Sequence, residues 1–543
     1  MGNSISTTAP RSAGGRASVV DSRERIVESY ADYLTDESRY GPADADRLVL
    51  VSDEAQVADA LRDARGSGEA VTLSAGRTGI VGGAVPMGGV LVSLAQMDRL
   101  TGVERSDDGR FVLTAEPGLT IAELERRLES GELGIDPSTL DEREGAALDE
   151  LRAESADWFY PPDPTEDTAH LGATVATNAS GARSFRYGST RAHVVGLRAV
   201  LPSGEALDVS RGDCRADGRR FELSDGSRGV SFDVPSYAMP ATKNAAGYYA
   251  SPGMDLVDLF VGSEGTLGVI TEVRVVLSPR PEGILSAIAF FDSDEDAVAF
   301  VQQAREELEP LALEFFDSLS LDFLRERKRE EGSSSQIPDL PDDARSGVLF
   351  EQGFTEDELM DEYEAWEAAL SSHGSSMERT WGGMEEAELA RLKALRHGLP
   401  EQVNSLIART KATHPGVHKI GTDAAVPPER LSDMLSYCRE LMSDAGLRYI
   451  VFGHIGDSHL HLNILPGDPD ELLRGKTLAT EVARRAVELG GTVSAEHGIG
   501  RIKHDFLRIM YGDEGLSEMA AVKRAIDPDG VLNRGVMFPA ELL

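Results

Sequence analysis

Ala70-Val71-Thr72-Leu73-Ser74-Ala75-Gly76-Arg77-Thr78-Gly79-Ile80-Val81-Gly82-Gly83-Ala84 is a short apolar run that passes at once into a glycine-rich turn. Residues 70–73 predict a strand, and glycines, lacking a Cβ, let the turn bring its N–H groups close around an extended anion such as a pyrophosphate. Upstream, Leu48-Val49-Leu50-Val51 reads as a second strand, and residues 54–65 carry apolar side chains at helical spacing. Together they predict a small β-α-β unit. The turn is neither a Walker A loop nor a GxGxxG fingerprint, and by itself a glycine-rich surface turn explains it equally well.

Three further stretches have the same character. Phe159-Tyr160-Pro161-Pro162-Asp163-Pro164-Thr165 is a rigid extended segment. It precedes a run of small residues from Leu171-Gly172-Ala173 to Asn178-Ala179-Ser180-Gly181, followed by Arg186-Tyr187-Gly188. Lys243-Asn244-Ala245-Ala246-Gly247-Tyr248 and Gly262-Ser263-Glu264-Gly265-Thr266-Leu267-Gly268-Val269-Ile270-Thr271 follow, the last entering a strand through Val273, Val275 and Leu277. Small residues allow a ligand to lie against the backbone.

Toward the other end, His454-Ile455-Gly456-Asp457-Ser458-His459-Leu460-His461-Leu462-Asn463 is followed by Ser494-Ala495-Glu496-His497-Gly498-Ile499-Gly500. Leu460, Leu462 and Ile464 alternate with His459, His461 and Asn463, which predicts a strand with its imidazoles on one face. Gly456 lets a turn bring His454 back toward His461. Two imidazoles and a carboxylate suit Zn(II), Mn(II) or Fe(II) and leave positions open for a substrate, although hydrogen-bonded structural histidines fit the same spacing.

The chain of 543 residues predicts two or three domains. With 54 basic against 93 acidic residues its formal net charge is -39, which makes nucleic acid and anionic membrane poor partners. Arginine greatly outnumbers lysine and the acidic residues are scattered, the pattern of a surface adapted to high salt. Cys214 and Cys438 stand far apart and form neither an iron-sulfur nor a disulfide pattern. No apolar run is long enough to span a bilayer, and Met1-Gly2-Asn3-Ser4-Ile5-Ser6 lacks a secretory pattern, so a cytoplasmic protein is expected. Residues 1–21 are expected to be disordered and 22–34 helical. Segments 141–154 and 327–345, charged and poor in apolar residues, read as insertions or mobile loops.

The ordered set of motifs resembles the PCMH-type FAD-binding domain of the vanillyl-alcohol oxidase and p-cresol methylhydroxylase flavoproteins. The second half looks like the FAD-linked oxidase C-terminal domain of D-lactate dehydrogenase, glycolate oxidase flavoprotein subunit and D-2-hydroxyglutarate dehydrogenase. The resemblance covers residues 40–540. It implies an α+β fold: a two-subdomain FAD-binding domain over 22–280, then an α+β substrate cap with an antiparallel sheet over 281–543, with the change near Ser278-Pro279-Arg280-Pro281.

Residue by residue, the resemblance places Gly76, Arg77, Thr78, Gly79, Gly82 and Gly83 around the FAD pyrophosphate. Asn178, Glu264, Gly268, Ile270 and Asn533 match further cofactor-lining positions. Arg77 stands where relatives commonly have glycine, so its side chain either turns away or adds a cation near the phosphates. With no histidine in that turn, non-covalent FAD is expected. His454, His461 and Glu496 match metal ligands, and His497 a proton-transferring base. His459 departs from the usual Gly-Asp-Gly-Asn and is either an outer partner or a substitute ligand. Arg396 and Lys419 match positions that pair a substrate carboxylate.

The implied activity is oxidation of a D-2-hydroxy acid, assisted by a divalent Zn, Mn or Fe ion. Electrons would pass to a quinone, an electron-transfer flavoprotein, a cytochrome or an iron-sulfur partner, since no nicotinamide fingerprint is present. A peripheral position at the inner face of the membrane and a homodimer are compatible with this reading. Two alternatives share the architecture: an alkyl-dihydroxyacetonephosphate synthase type enzyme, and a flavin-binding relay subunit of a larger oxidase.

Overall fold

The computed structural model describes residues 5–12, 14–224 and 229–543. The opening motif forms as a strand, Val71–Ser74, and it lies in a four-stranded sheet with the order Ser18–Val20, Arg47–Leu50, Val90–Ser93, Val71–Ser74. The last three strands run parallel, joined from Arg47–Leu50 to Val71–Ser74 by helix Glu54–Ser67. That helix is capped by Asp53, which accepts from the Gln56 amide, and stopped by Gly68 in the left-handed region. Its apolar stripe of Val57, Ala58, Leu61 and Ala64 is buried against the sheet. The expected β-α-β unit is therefore present.

A second sheet has five antiparallel strands in the order Ala206–Ser210, Val194–Val200, Val269–Val276, Phe111–Ala115, Leu100–Arg105. Its core draws on residues 100–277 and also on a distant segment that includes Leu507, Leu516, Met519 and Phe538. The chain thus returns to its first half after building the cap.

The cap is a seven-stranded antiparallel sheet in the order Thr380–Gly383, Gly283–Phe291, Ser346–Phe354, Ala312–Phe316, Tyr449–Gly453, His461–Ile464, Ile420–Gly421. Helices Asp294–Glu307, Leu359–Ser372, Leu431–Ala445 and Pro469–Glu488 contribute to one apolar cluster, and Ser318–Glu331 and Glu386–Lys411 to another. The α+β class and the antiparallel cap are as expected. Among the described residues no helix is long and apolar enough to cross a membrane.

Some local expectations need correction. Within 1–21, Ile5–Ser6 pairs with Leu223 and Ser224, and Ser18–Val20 with Leu48 to Leu50, so backbone pairing outweighs a polar composition. Residues 1–4 and 13 lie outside the described set. The helix over 22–34 is a short helix, Arg23–Ser29, followed by a 3-10 turn, Ala31–Leu34. Residues 142–154 are helical: Asp141 and Glu144 form a capping box, and Ala147, Leu148 and Leu151 bury a narrow apolar stripe. Part of 327–345 belongs to helix Ser318–Glu331, started by Asp317 and anchored by Leu321, Phe323 and Leu324.

Candidate active site

The cap strand Tyr449–Gly453 ends at His454, turns through Ile455–Asp457 and returns as His461–Ile464. Gly453 has φ +132, and a Cβ there would lie 2.8 Å from the His461 ring, so glycine is required for the imidazole to sit beside the preceding strand. The predicted strand begins at His461 instead of His459, because Ser458 takes the left-handed region at φ 54. Leu460, Leu462 and Ile464 enter the cap core as expected.

Glu496 comes to this turn from the far segment. His454 Nε2 lies 3.2 Å from Glu496 Oε1, His459 Nδ1 4.0 Å from Oε1, and His461 Nε2 3.8 Å from Oε2. The opposite nitrogen of each ring faces an acceptor. His454 Nδ1 bonds Glu314, His459 Nε2 is 3.1 Å from Asp423 Oδ1, and His461 Nδ1 is 3.3 Å from the Thr422 carbonyl. One candidate ligand atom each from His454, His459, His461 and Glu496 fits within 4.8 Å of the others, and Asp423, His461 and His497 form a second such group. This donor set fits a divalent ion: imidazoles converge on a carboxylate while outer acceptors fix their ring orientation.

For His459 and His461 the electrostatics agree with that chemistry, whereas His454 is held as a cation by its carboxylates. Burial pushes His459 down, and burial with neighbouring imidazoles holds His461 well below its usual range, so both keep a lone pair. Burial would also lower His454, yet Glu314 and Glu496 lift it to about 9. Glu314 is brought to about 2 because Arg396 and His454 outweigh its burial. Lys243 lies buried with Nζ 2.5 Å from Glu496 Oε1 and 3.3 Å from Asp457 Oδ2, a cation already attached to the same carboxylate.

His497 stands at the rim, stacked on His461 with ring centroids 5.6 Å apart. Its Nδ1 is 3.2 Å from Asp423 Oδ2, and its side chain is partly exposed. Asp423 is fully buried and accepts from the His497 amide at 2.9 Å, Ser494 Oγ at 2.6 Å and Lys503 Nζ at 2.8 Å. Against its burial, His497 and Lys503 hold its carboxyl well below the usual range. Arg396 approaches from helix Glu386–Lys411 with Nε 3.4 Å from Glu314 Oε2. Lys419 is exposed and joins none of the ion pairs among the described residues.

On the other half, the amides of residues 76–83 donate no hydrogen bond within the described protein, a backbone donor set suited to phosphate oxygens. Gly82 has φ +75, with Tyr40 packed 3.0 Å from where a Cβ would stand. The Arg77 guanidinium lies over the Tyr33 ring at 4.4 Å. Gly268 packs close to Phe260, and Ile270 is buried in the five-stranded sheet.

Asn178, Glu264 and Asn533 connect the parts. Asn178 Nδ2 donates to the Asn244 carbonyl at 3.1 Å. Asn533 accepts from the Leu73 amide at 2.9 Å and donates to the Glu264 carbonyl at 2.8 Å. Glu264 accepts from the amides of Ile499 and Gly500 at 2.8 and 2.7 Å, tying the His497 turn to the glycine-rich side. Arg77, Asn178, Glu264 and Asn533 all have positive φ, a strain that persists where surrounding structure enforces it and that gathers at functional sites.

Burial lifts the Glu264 carboxyl to about 7 from an ordinary 4.5, against the pull of its two N–H donors. The folded state therefore holds that proton in preference. The associated stability is complete below 4.5 and is lost as pH rises through about 7, about 3 kcal/mol in all. In FAD-free protein, Glu264→Gln is expected to flatten the fall in unfolding free energy between those limits; parallel wild-type and variant profiles would refute this.

Sequence reasoning overlooked Glu314, Lys243 and the central role of Asp423. Glu314 had a signal, being the one charged residue in the apolar, wholly buried strand Ala312–Phe316.

The chain is an FAD-dependent oxidoreductase, as its family matches and relatives show. The FAD binding domain family matches residues 45–143 and 143–210, and the FAD linked oxidases, C-terminal domain family matches 280–537. The chain belongs to the PCMH-type FAD oxidoreductases built from these two units. It is 29% identical to a D-lactate dehydrogenase of Anaerostipes hadrus over 93% of this chain and 92% of that one. It is 28% identical to the glycolate oxidase subunit GlcD of Bacillus subtilis over 85% and 82%. Among solved structures, 4-ethylphenol oxidase from Gulosibacter chungangensis has TM-score 0.63 at 17% identity, covering 97% of this chain and 95% of that one. An alkyldihydroxyacetonephosphate synthase has TM-score 0.62 at 16% identity, covering 95% and 81%; both likenesses concern the fold.

Proposed function

We propose that this chain oxidises a D-2-hydroxy acid of the D-lactate, glycolate or D-2-hydroxyglutarate type to its 2-oxo acid, with non-covalent FAD and a divalent Zn, Mn or Fe ion. The observation that carries this is the convergence of His454, His459 and His461 on Glu496, each ring backed by an outer acceptor. The D-lactate dehydrogenase and glycolate oxidase relatives support the substrate class.

When bound, the ion supplies Lewis-acid polarisation of the hydroxyl and FAD supplies the hydride acceptor. His497 takes the hydroxyl proton at Nε2, its Nδ1 held by Asp423 and its ring by His461. Arg396, with Nε toward Glu314, offers its terminal N–H groups to the substrate carboxylate. Exposed Lys419 is the lesser candidate for that role. Residues 76–83 hold the pyrophosphate through their amides. The electrons leave to a quinone, an electron-transfer flavoprotein, a cytochrome or an iron-sulfur partner, in the cytoplasm or at the inner face of its membrane.

Anaerobic absorbance of the FAD-loaded protein tests the reading. One of D-lactate, glycolate or D-2-hydroxyglutarate is expected to bleach the flavin, with the effect lost after chelation and restored by Zn(II), Mn(II) or Fe(II). Bleaching that ignores the chelator would remove the metal from the reaction. No bleaching by any acid would favour the ether-forming or relay alternatives.

The net charge of -39 supports adaptation to concentrated salt. The thermal midpoint is expected to rise between dilute buffer and molar KCl as self-repulsion is screened. A midpoint independent of salt would disprove it.

A further inference from the structure

We propose that His459 is a fourth protein ligand of the divalent ion, beside His454, His461 and Glu496. This rests on the metal-assisted reading above and adds a ligand to it.

His459 is completely buried, and neither ring nitrogen makes a hydrogen bond. The 3.1 Å approach of Nε2 to Asp423 Oδ1 lacks hydrogen-bond geometry. A buried imidazole ordinarily finds partners for its polar atoms. Its Nδ1 faces Glu496 Oε1 at 4.0 Å, beyond hydrogen-bond reach. Two donors each about 2.1 Å from one ion stand about 3.0 Å apart at a right angle and about 4.2 Å apart when opposite. The approaches of His454 and His459 to Glu496 Oε1, at 3.2 and 4.0 Å, lie in that interval, and His461 faces the other oxygen, Oε2, at 3.8 Å.

The surroundings place the three rings in a similar way, with a hydrogen bond to the outer acceptor for His454 and His461 and a 3.1 Å approach for His459. Each directs one nitrogen toward Glu496 and the other toward an acceptor: Glu314, Asp423 or the Thr422 carbonyl. Outer acceptors of this kind orient metal-binding imidazoles. The His459 and His461 rings are edge-on with centroids 4.4 Å apart.

A fourth protein ligand would bear on the choice of metal. Four protein donors would complete a tetrahedral zinc site and exclude the substrate. A six-coordinate Mn(II) or Fe(II) keeps two positions, the number a hydroxyl and a carboxylate oxygen of one 2-hydroxy acid occupy.

The test uses FAD-loaded protein freed of metal and titrated with Mn(II) against a fluorescent chelator, with imidazole nitrogens counted by pulsed electron paramagnetic resonance. Wild type is expected to show three. His459→Asn and His459→Gln are expected to show two and to bind Mn(II) about 10- to 100-fold more weakly, with flavin content unchanged. Two imidazoles in wild type would overturn the assignment, whether or not either variant folds. So would Mn(II) affinity in folded variants within about twofold of wild type. A spectrum that loses an imidazole with His497→Asn but not with His459→Asn would place the ion on Asp423, His461 and His497 and overturn it too. A wild type that binds none of Mn(II), Fe(II) or Zn(II) would sink the metal-assisted reading itself, an outcome distinct from a two-imidazole site.

Discussion

His497→Asn is expected to lower the rate of flavin reduction by the substrate about 10²- to 10⁴-fold, the usual worth of a positioned general base. The argument is geometric. The ring stands at the rim, with Nδ1 3.2 Å from Asp423 Oδ2 and a face on His461, so Nε2 is the nitrogen left to accept a proton. Asparagine keeps a polar side chain near Asp423 but removes the basic nitrogen. Metal affinity and FAD content should stay near wild type, because His454, His459, His461, Glu496 and the 76–83 turn are untouched. Stopped-flow reduction with a saturating D-acid reads the effect directly. A fall of less than about fivefold would assign the proton to another acceptor.

Lys523→Met is expected to cost about 3–5 kcal/mol of folding free energy and to loosen FAD. Lys523 is fully buried, and its ammonium donates to the Thr266 carbonyl at 2.6 Å, the Leu532 carbonyl at 2.9 Å and the Asp527 carboxylate. Asp527 in turn accepts from the amides of Val531 and Leu532 at 3.0 and 2.9 Å. One cation therefore pins the turn that bears Glu264 to the turn that bears Asn533. Methionine fills similar volume but strands a buried carboxylate and two carbonyls without their donor. Denaturant unfolding measures the loss. Replacing both Lys523 and Asp527 by apolar residues should recover part of it, and a single variant within about 1 kcal/mol of wild type would refute the pinning role.

Much of the fold was legible because its signals are local. The strand before Gly76, the helical spacing over 54–65 and the alternation of Leu460, Leu462 and Ile464 each report which face is buried. The histidines and Glu496 were legible because metal chemistry restricts residue types. Local reading failed where distant partners decide. Residues 142–154 look like loop until the Asp141 and Glu144 capping box and the thin stripe of Ala147, Leu148 and Leu151 are noticed. Lys243, Asp423 and Glu314 act through charges brought from other parts of the chain, and sequence spacing carries no record of those encounters.

The return of the chain to its first core sets an order of events during synthesis. Val71, at the head of the opening motif, pairs in parallel with Leu532, its amide donating to the Val531 carbonyl and its carbonyl accepting from Asn533. A ribosome that has reached residue 490 has released every glycine of the 76–83 turn, yet neither Glu496 nor Asn533 exists. Contacts across such separations form late. A chain halted at residue 490 has the glycine-rich turn but none of Glu496, His497 or Asn533, so the two sides of the candidate site can meet only near the end of synthesis.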